Sequence, residues 1–509
     1  MALKVLSLPL PLFFKKQIII KMLKNFVPAI TNRLRKALLI TLCLVGFSAF
    51  AQPKKWTLQE CIDYAIKNNI SIKNTTLDEE TAAVSKKDAW GSFLPTINGQ
   101  ASHSWNIGLN QNITTGLLEN QTTQFTSAGL NVGLDIYNGL QKINQLRRAN
   151  LALISAKYQV LKMQEDIALN VANAYLQILF NKENLKVQQQ QLAYDTQQLE
   201  RVQQLVDAGS VPKGDLLDVK ATVATDNQRK IAAENTLLLS KLSLAQLMQL
   251  ENFQDFDTVD SDYPIDQSGV LLEQPSAIFD KAKEQRTELK IARANVAVAE
   301  KDVKIARGAY QPTLQGFYSF NTRAAYADRI VGVIPDPDTP FSPIGVLPST
   351  GEIVVQQNFR PVLGSASSLW KQFDDNKGHS FGVSLNIPVL NGFRVRNNVQ
   401  RAKISLERSK ITLQQQELTL ETNVYTAYTD AQGALKAYEA AQTTLEAREG
   451  SFNYAKERYE VGLINIFDLN QAQTLFVNAQ SEVLRTKYDF IFRVKILEFY
   501  FGIPFFQKQ

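Results

Sequence analysis

Catalysis and metal binding need imidazoles, thiols or paired nucleophiles held close together, and this chain of 509 residues supplies few of them. His103 and His379 are the two histidines, and Cys43 and Cys61 the two cysteines. The imidazoles lie far apart in different local patterns, so they form neither a nucleophile-base pair nor a ligand cluster of metal-site spacing. Cys61 follows Glu60 on a short helical pattern and reads as a small buried side chain. Once Cys43 is set aside with the leader described next, a lone thiol can close no internal disulfide. No catalytic residue, metal site or cofactor is expected, and the chain reads as something other than an enzyme.

Residues 1–51 hold eight Lys or Arg and no acid, then the apolar run ALLITLCLVGF and Ala49-Phe50-Ala51. This is the layout of a secretory signal peptide, with Met22 a candidate true start. Its apolar run is too short for a membrane span, which takes about 20 residues. The residues before Cys43, Ile40-Thr41-Leu42, make a poor lipoprotein signal. Removing the leader leaves 47 basic residues against 49 acidic ones, a formal charge of about −2. The basic balance of the full chain therefore belongs to the leader, and no basic stripe with interleaved aromatics remains for nucleic acid.

What the chain does contain is a repeat. LDIYNG (134–139) matches IPVLNG (387–392), RRAN matches QRAK, and the turn at Gly209 matches that at Gly462, all at a spacing of 253 residues. SFLPTINGQ (92–100) pairs with AYQPTLQGF (309–317) at 217, so 36 residues are inserted between the anchors of the second copy, within 322–380. Internal duplication decides architecture before local detail does. Residues 52–272 form a first repeat: a helix, strands at 95–107 and 124–137, and a long helical hairpin over 140–250. Residues 273–509 form the second: a helix, strands at 312–322 and 379–390 around a long Pro-rich loop (323–378), and a hairpin over 393–500.

Pro95 and Pro312 end their helices by removing a donor and restricting the preceding residue. After them the period becomes two. Ile97, Gly99, Ala101, His103 and Trp105 share one face, as do Leu130, Val132, Leu134 and Ile136. Leu314, Gly316, Tyr318 and Phe320 repeat this, followed by Phe381, Val383, Leu385, Ile387 and Val389, with polar residues at most opposite positions. Such strands suit a barrel with lipid outside and water inside, flanked by aromatics. Four are too few to close, and an open edge is not tolerated in lipid, so the barrel must be shared with other copies. The helices are far longer than a compact domain accepts: from Leu140 to Val206 no Pro or Gly intervenes, about 100 Å at 1.5 Å per residue. Leu185, Leu192, Leu199 and Val206, and Leu216, Val223, Lys230, Leu237 and Leu244, recur at sevens, the seam of a coiled coil.

These features together resemble the outer-membrane efflux (TolC) family over nearly all of residues 56–504. The matching residues are WTLQECIDYAIKNNISIK at the start, LPT and QPT at the helix-to-strand breaks, YNG and LNG at the strand-to-helix breaks, and the turns AGSVPKGDLL and VGLINIFDLN. The Pro-rich segment 323–378 departs from the pattern. The resemblance implies a mixed α and β membrane protein: a long coiled-coil α-helical barrel with four transmembrane β-strands per chain, internally duplicated, and a homotrimer whose strands close a 12-stranded β-barrel in outer-membrane lipid. It implies a passive exit duct of a tripartite efflux or type I secretion system, in a Gram-negative outer membrane with helices in the periplasm, fed by an inner-membrane transporter. It also implies that a periplasmic adaptor (membrane fusion) protein docks on the hairpin tips, which by position are Ala208, Gly209, Ser210 and Val211, with Val461, Gly462, Leu463 and Ile464. Asp215 and Asp468 are expected to cap the returning helices, and Asn453 is a candidate for the entrance lining. The rival reading is a secreted or periplasmic coiled-coil scaffold or adhesin, which needs no paired short strands. No Met-rich or His-rich track points to a metal-ion cargo.

Overall fold

The computed structural model describes residues 55–251, 254–260 and 269–503. The expected leader, with Cys43, lies outside the described residues. In chain order the elements are β1 (Lys55–Trp56), α1 (Leu58–Asn68), α2 (Ile70–Gly91), β2 (Thr96–Gln111), β3 (Leu118–Asn138), α3 (Gln141–Asp207) and α4 (Lys213–Met248). There follow β4 (Asp257–Thr258), α5 (Pro275–Gln285), α6 (Thr287–Gly308), β5 (Thr313–Ala325), β6 (Arg329–Pro335), β7 (Phe341–Val346), β8 (Ile353–Gln357) and β9 (Phe359–Gly364). Last come α7 (Leu369–Asp375), β10 (Gly378–Asn386), α8 (Arg394–Glu460) and α9 (Ile466–Phe501).

The two hairpins match to the residue. Helices α3 and α8 have 67 residues each and α4 and α9 have 36, and every boundary in the second hairpin lies 253 residues after its counterpart. A helix of 67 residues is about 100 Å long. Both long helices start from the same corner: Gly139 and Leu140, like Gly392 and Phe393, take consecutive left-handed conformations. Glycine accepts this freely, whereas the following side chain is held there at a cost of about 1–2 kcal/mol. At the first corner the backbone also passes close to α6, since a Cβ on Gly308 would lie 2.5 Å from the Gly139 carbonyl oxygen.

Helix α1 starts with a reciprocal cap: the Thr57 hydroxyl accepts from the Glu60 N–H and the Glu60 carboxylate accepts from the Thr57 N–H. Its apolar face, Cys61, Ile62 and Ala65, is fully buried with Val171, Tyr175 and Ile178 of α3 and Leu244 and Met248 of α4. Cys61 is thus a core side chain. In the second repeat, Ile278, Ala282 and Leu289 pack with Val424, Ala431 and Leu497 in the same manner.

Strands β10, β5, β3 and β2 form, in that order, one antiparallel sheet. Its register aligns the period-two faces across all four strands. Ile97 pairs with Val132, Val132 with Tyr318 and Tyr318 with Phe381; on the other face Asn98, Asn131, Ser319 and Ser380 form the adjacent row. The apolar face is uncovered, with Ile97 63%, Trp105 60%, Phe381 79% and Val383 66% exposed. One strand face holds across an irregularity, and another ends earlier than expected. A bulge between Asp135 and Tyr137 shifts the register, yet Ile136 keeps the face of Leu134: its side chain would meet a Cβ on Gly316, the partner of Leu134, at 3.4 Å. Ile387 and Val389 lie beyond β10, which ends at Asn386.

The inserted segment, expected as a loop, contains two antiparallel ribbons, β6 with β9 and β7 with β8, and the short α7. No helix among the described residues is long and apolar enough to cross a membrane.

Candidate functional site: the paired hairpin tips

Both turns end their long helix by the same device. At the first, Gly209 has φ +73°, its N–H bonds the Val206 carbonyl at 2.9 Å, and the Ser210 N–H reaches back to Leu205 at 2.8 Å. At the second, Gly462 has φ +76°, with bonds from its N–H to Tyr459 at 3.0 Å and from Leu463 to Arg458 at 2.8 Å. These two bonds from a left-handed residue satisfy carbonyls that the helix end leaves open. A Cβ at either glycine would meet nothing within 4 Å, so conformation and not space requires glycine there.

The predicted tip residues divide by exposure. Ala208, Gly209 and Ser210 are exposed, as are Val461, Gly462 and Leu463. Val211 and Ile464 are half-buried and turn into a cluster that joins the two tips, built on Val202, Leu216, Val219, Ile466 and Leu469. Phe452 and Phe476 stack above it at 5.5 Å. The hairpins therefore meet as one packed unit, and their outer surface presents Val461 (71% exposed), Leu463 (67%), Phe467 (66%) and Leu217 (65%). Phe467 and Leu217 were not singled out in the sequence, although apolar residues just past a turn and off the heptad seam are the available signal. Asn453 is exposed on α8, two helical turns before the tip.

The capping expectation for Asp215 and Asp468 is corrected. Both stand in the first turn of their helix and not at its cap. In the second hairpin the cap is Asn465, whose side-chain oxygen accepts from the Asp468 N–H at 2.9 Å. In the first it is Pro212, which has no side-chain hydrogen bond to give. The aspartates still favour their helices, since negative charge in the first turn complements the helix dipole. The signal for Asn465 was present: Asn three residues before an acid opens a helix.

No group of three or more His, Cys, Asp or Glu among the described residues is placed to hold a metal ion. The geometry is that of a long support whose end exposes apolar residues between flanking charges such as Asp207, Lys213, Glu460 and Asp468, with an amphipathic sheet at its other extremity. Against known proteins, the family model described as "Outer membrane efflux protein" matches residues 61–249 and 278–497, one stretch in each repeat. The chain belongs to this family. Membership places it in the outer membrane as an efflux channel protein and not an enzyme, in keeping with the resemblance read from its turns and strand breaks. Outer membrane protein TolC of Escherichia coli (strain K12) is 22% identical over 466 residues, which cover 89% of this chain and 83% of that protein. Cation efflux system protein CusC of the same strain is 26% identical over 260 residues, 50% of this chain and 53% of that protein. Among solved structures, the Campylobacter jejuni CmeC outer membrane channel superposes with a TM-score of 0.69 at 18% identity, covering 89% of this chain and 87% of that one.

Proposed function

We propose that three copies of this chain form an exit duct that conducts substrates delivered by an inner-membrane transporter across periplasm and outer membrane. The observation that carries the reading is the four-stranded sheet. One face is apolar and uncovered, the other is polar, and the outermost strands β2 and β10 each pair on one side only. An open edge is not tolerated in lipid, so edge must meet edge between copies, and three sheets of four strands make a closed barrel of twelve. The hairpins then hang below it as a helical cylinder.

Equal hairpin lengths put six tips at one level, and a shift of one heptad would move a tip by about 10 Å. A ring of exposed Val461, Leu463, Phe467 and Leu217 at that level is a surface for a periplasmic adaptor, with Ala208, Gly209 and Ser210 beside it. Val211 and Ile464 support this surface from within, and Asn453 faces the approach to the entrance. Adaptor binding shifts the population from a narrowed entrance toward a wider one.

Replacing Gly209 and Gly462 together by Val tests the docking surface. The φ values of +73° and +76° make each substitution cost about 1–2 kcal/mol of backbone strain, confined to the tips because open space surrounds both sites. Export of drug or protein should be abolished while the oligomer survives extraction. Unchanged export in the double variant contradicts the assignment.

A further inference from the structure

The shaft above the tips contains a second arrangement that a duct does not require. Asp195 of α3 and Asp226 of α4 are each only 2% exposed and occupy mirrored positions of the hairpin, each seven residues from Val202 or Val219, which pack together nearer the tip. Both occupy the inward line of the coiled coil, flanked on α3 by Val202 and on α4 by Val219 and Ala233, all buried. Asp195 also reaches the other hairpin: Gln473 of α9, itself 3% exposed, donates its side-chain N–H to Asp195 Oδ1 at 2.9 Å. Gln191 donates to Asp195 Oδ2 at 2.6 Å.

The surroundings do not neutralise two charges. Arg229 Nη1 stands 3.3 Å from Asp226 Oδ1, but its side chain is 48% exposed. Asp226 Oδ2 is buried with no hydrogen-bond donor. From α9 only the neutral Gln473 faces the pair, and α9 has no charged residue between Asp468 and Glu482. On α3 the neighbouring Tyr194 phenol is kept neutral, its pKa raised mainly by burial. Tyr194 packs on Phe452, the contact from α8, at 5.9 Å. Two ionised carboxylates in such a place would repel at short range and leave a buried oxygen unpaired, whereas one proton between them turns repulsion into a hydrogen bond.

We propose that Asp195 and Asp226 bind one shared proton that holds α3 against α4, so that its loss splays the first hairpin and shifts its tip. The site is about 20 Å up the shaft, 14 residues before Gly209 on α3 and 14 beyond Pro212 on α4. Both arms thus carry the same leverage on the turn between them. Burial first, and the facing carboxyl second, push Asp195 up to about 7, and the proton belongs to the pair as a unit. The sign is fixed by linkage: the folded state holds a proton that the unfolded chain releases near pH 4, so stability present at low pH is lost as the pH rises through about 7.

The bearing on the entrance rests on the duct reading above, but the test does not, because it uses purified, detergent-solubilised assembled protein with no adaptor or cargo. Infrared difference spectra between pH 6 and pH 8 should show one neutral-carboxyl band, in about tenfold excess over the ionised form at pH 6 and the reverse at pH 8, and titrating at lower pH in Asp226→Asn. Spin labels on Ser210→Cys and Leu463→Cys should report a longer, broader separation at pH 8, and Asp226→Asn should hold the pH 6 distance throughout. The same pH slope of stability in Asp226→Asn and the wild type, or no titrating band, overturns the shared proton. A titrating band with an unchanged tip distance overturns the coupling to the tip. Should the protein fail to conduct or to enter membranes, the duct reading falls while these measurements still decide the proton site.

Discussion

Val383 and Ser384 are neighbours on β10, and replacing each in turn by Arg separates a lipid-facing wall from a soluble sheet. Strand β10 has nine residues and, at about 3.3 Å each and a tilt of about 40°, spans about 23 Å of membrane height, close to the apolar band of such barrels. Its midpoint is Gly382, so Val383, 66% exposed and level with Gly316 and Leu134, sits near the bilayer centre on the apolar face. An Arg there costs about 2–4 kcal/mol per chain, or about 6–12 for a barrel of three. Ser384 pairs with Gln315, which pairs with Asp135, so an Arg at that position enters a polar row facing water and costs little. Assembly is read as the fraction of heat-resistant oligomer extracted from outer membranes after a urea wash. Val383→Arg should remove most of that fraction and Ser384→Arg should leave it near wild type. Equal effects, or the reverse order, would refute the assignment of lipid and water to the two faces.

Two further substitutions address the supports. Asn465→Ala removes the cap of α9 and should cost about 1 kcal/mol, seen as faster amide exchange at Asp468, whose N–H it accepts; unchanged protection would show the cap to be idle. Gly308→Ala should lower the melting temperature, since its Cβ would stand 2.5 Å from the Gly139 carbonyl oxygen and overpacking of this kind costs about 1–3 kcal/mol. Gly433→Ala and Gly450→Ala on α8, which meet nothing within 4 Å, should instead stabilise by up to about 1 kcal/mol each, so the sign of the change separates the two situations.

The helical hairpins were legible because Pro and Gly punctuate the chain so sparsely: the only interruptions shared by both halves are the turns at Gly209 and Gly462, and both need positive φ. The strand faces were legible from their period, but the bulge at Ile136 was not, because Ile136 fits the alternation and only its partner strand reveals the shift. The heptad seam was read through Leu192 and Leu199, which are half-buried, while the most buried line on α3 falls three residues on, at Asp195 and Val202. A carboxylate at such a position is hidden from a reading that searches for apolar repeats. The inserted ribbons were masked by their prolines, although Ile330 to Ile334 and Ile353 to Val355 carry the β-branched residues that strands prefer. At the tips, position identified the exposed residues, but tertiary packing decided that Val211 and Ile464 turn inward.

The central claim is that this sheet is completed only by other copies of the chain. Native mass spectrometry of the mature protein extracted from outer membranes, followed by planar-bilayer recording of the same sample, tests it most directly. Three chains per particle and a steady conductance are predicted. A single water-soluble chain that inserts into no bilayer and passes no current would contradict it.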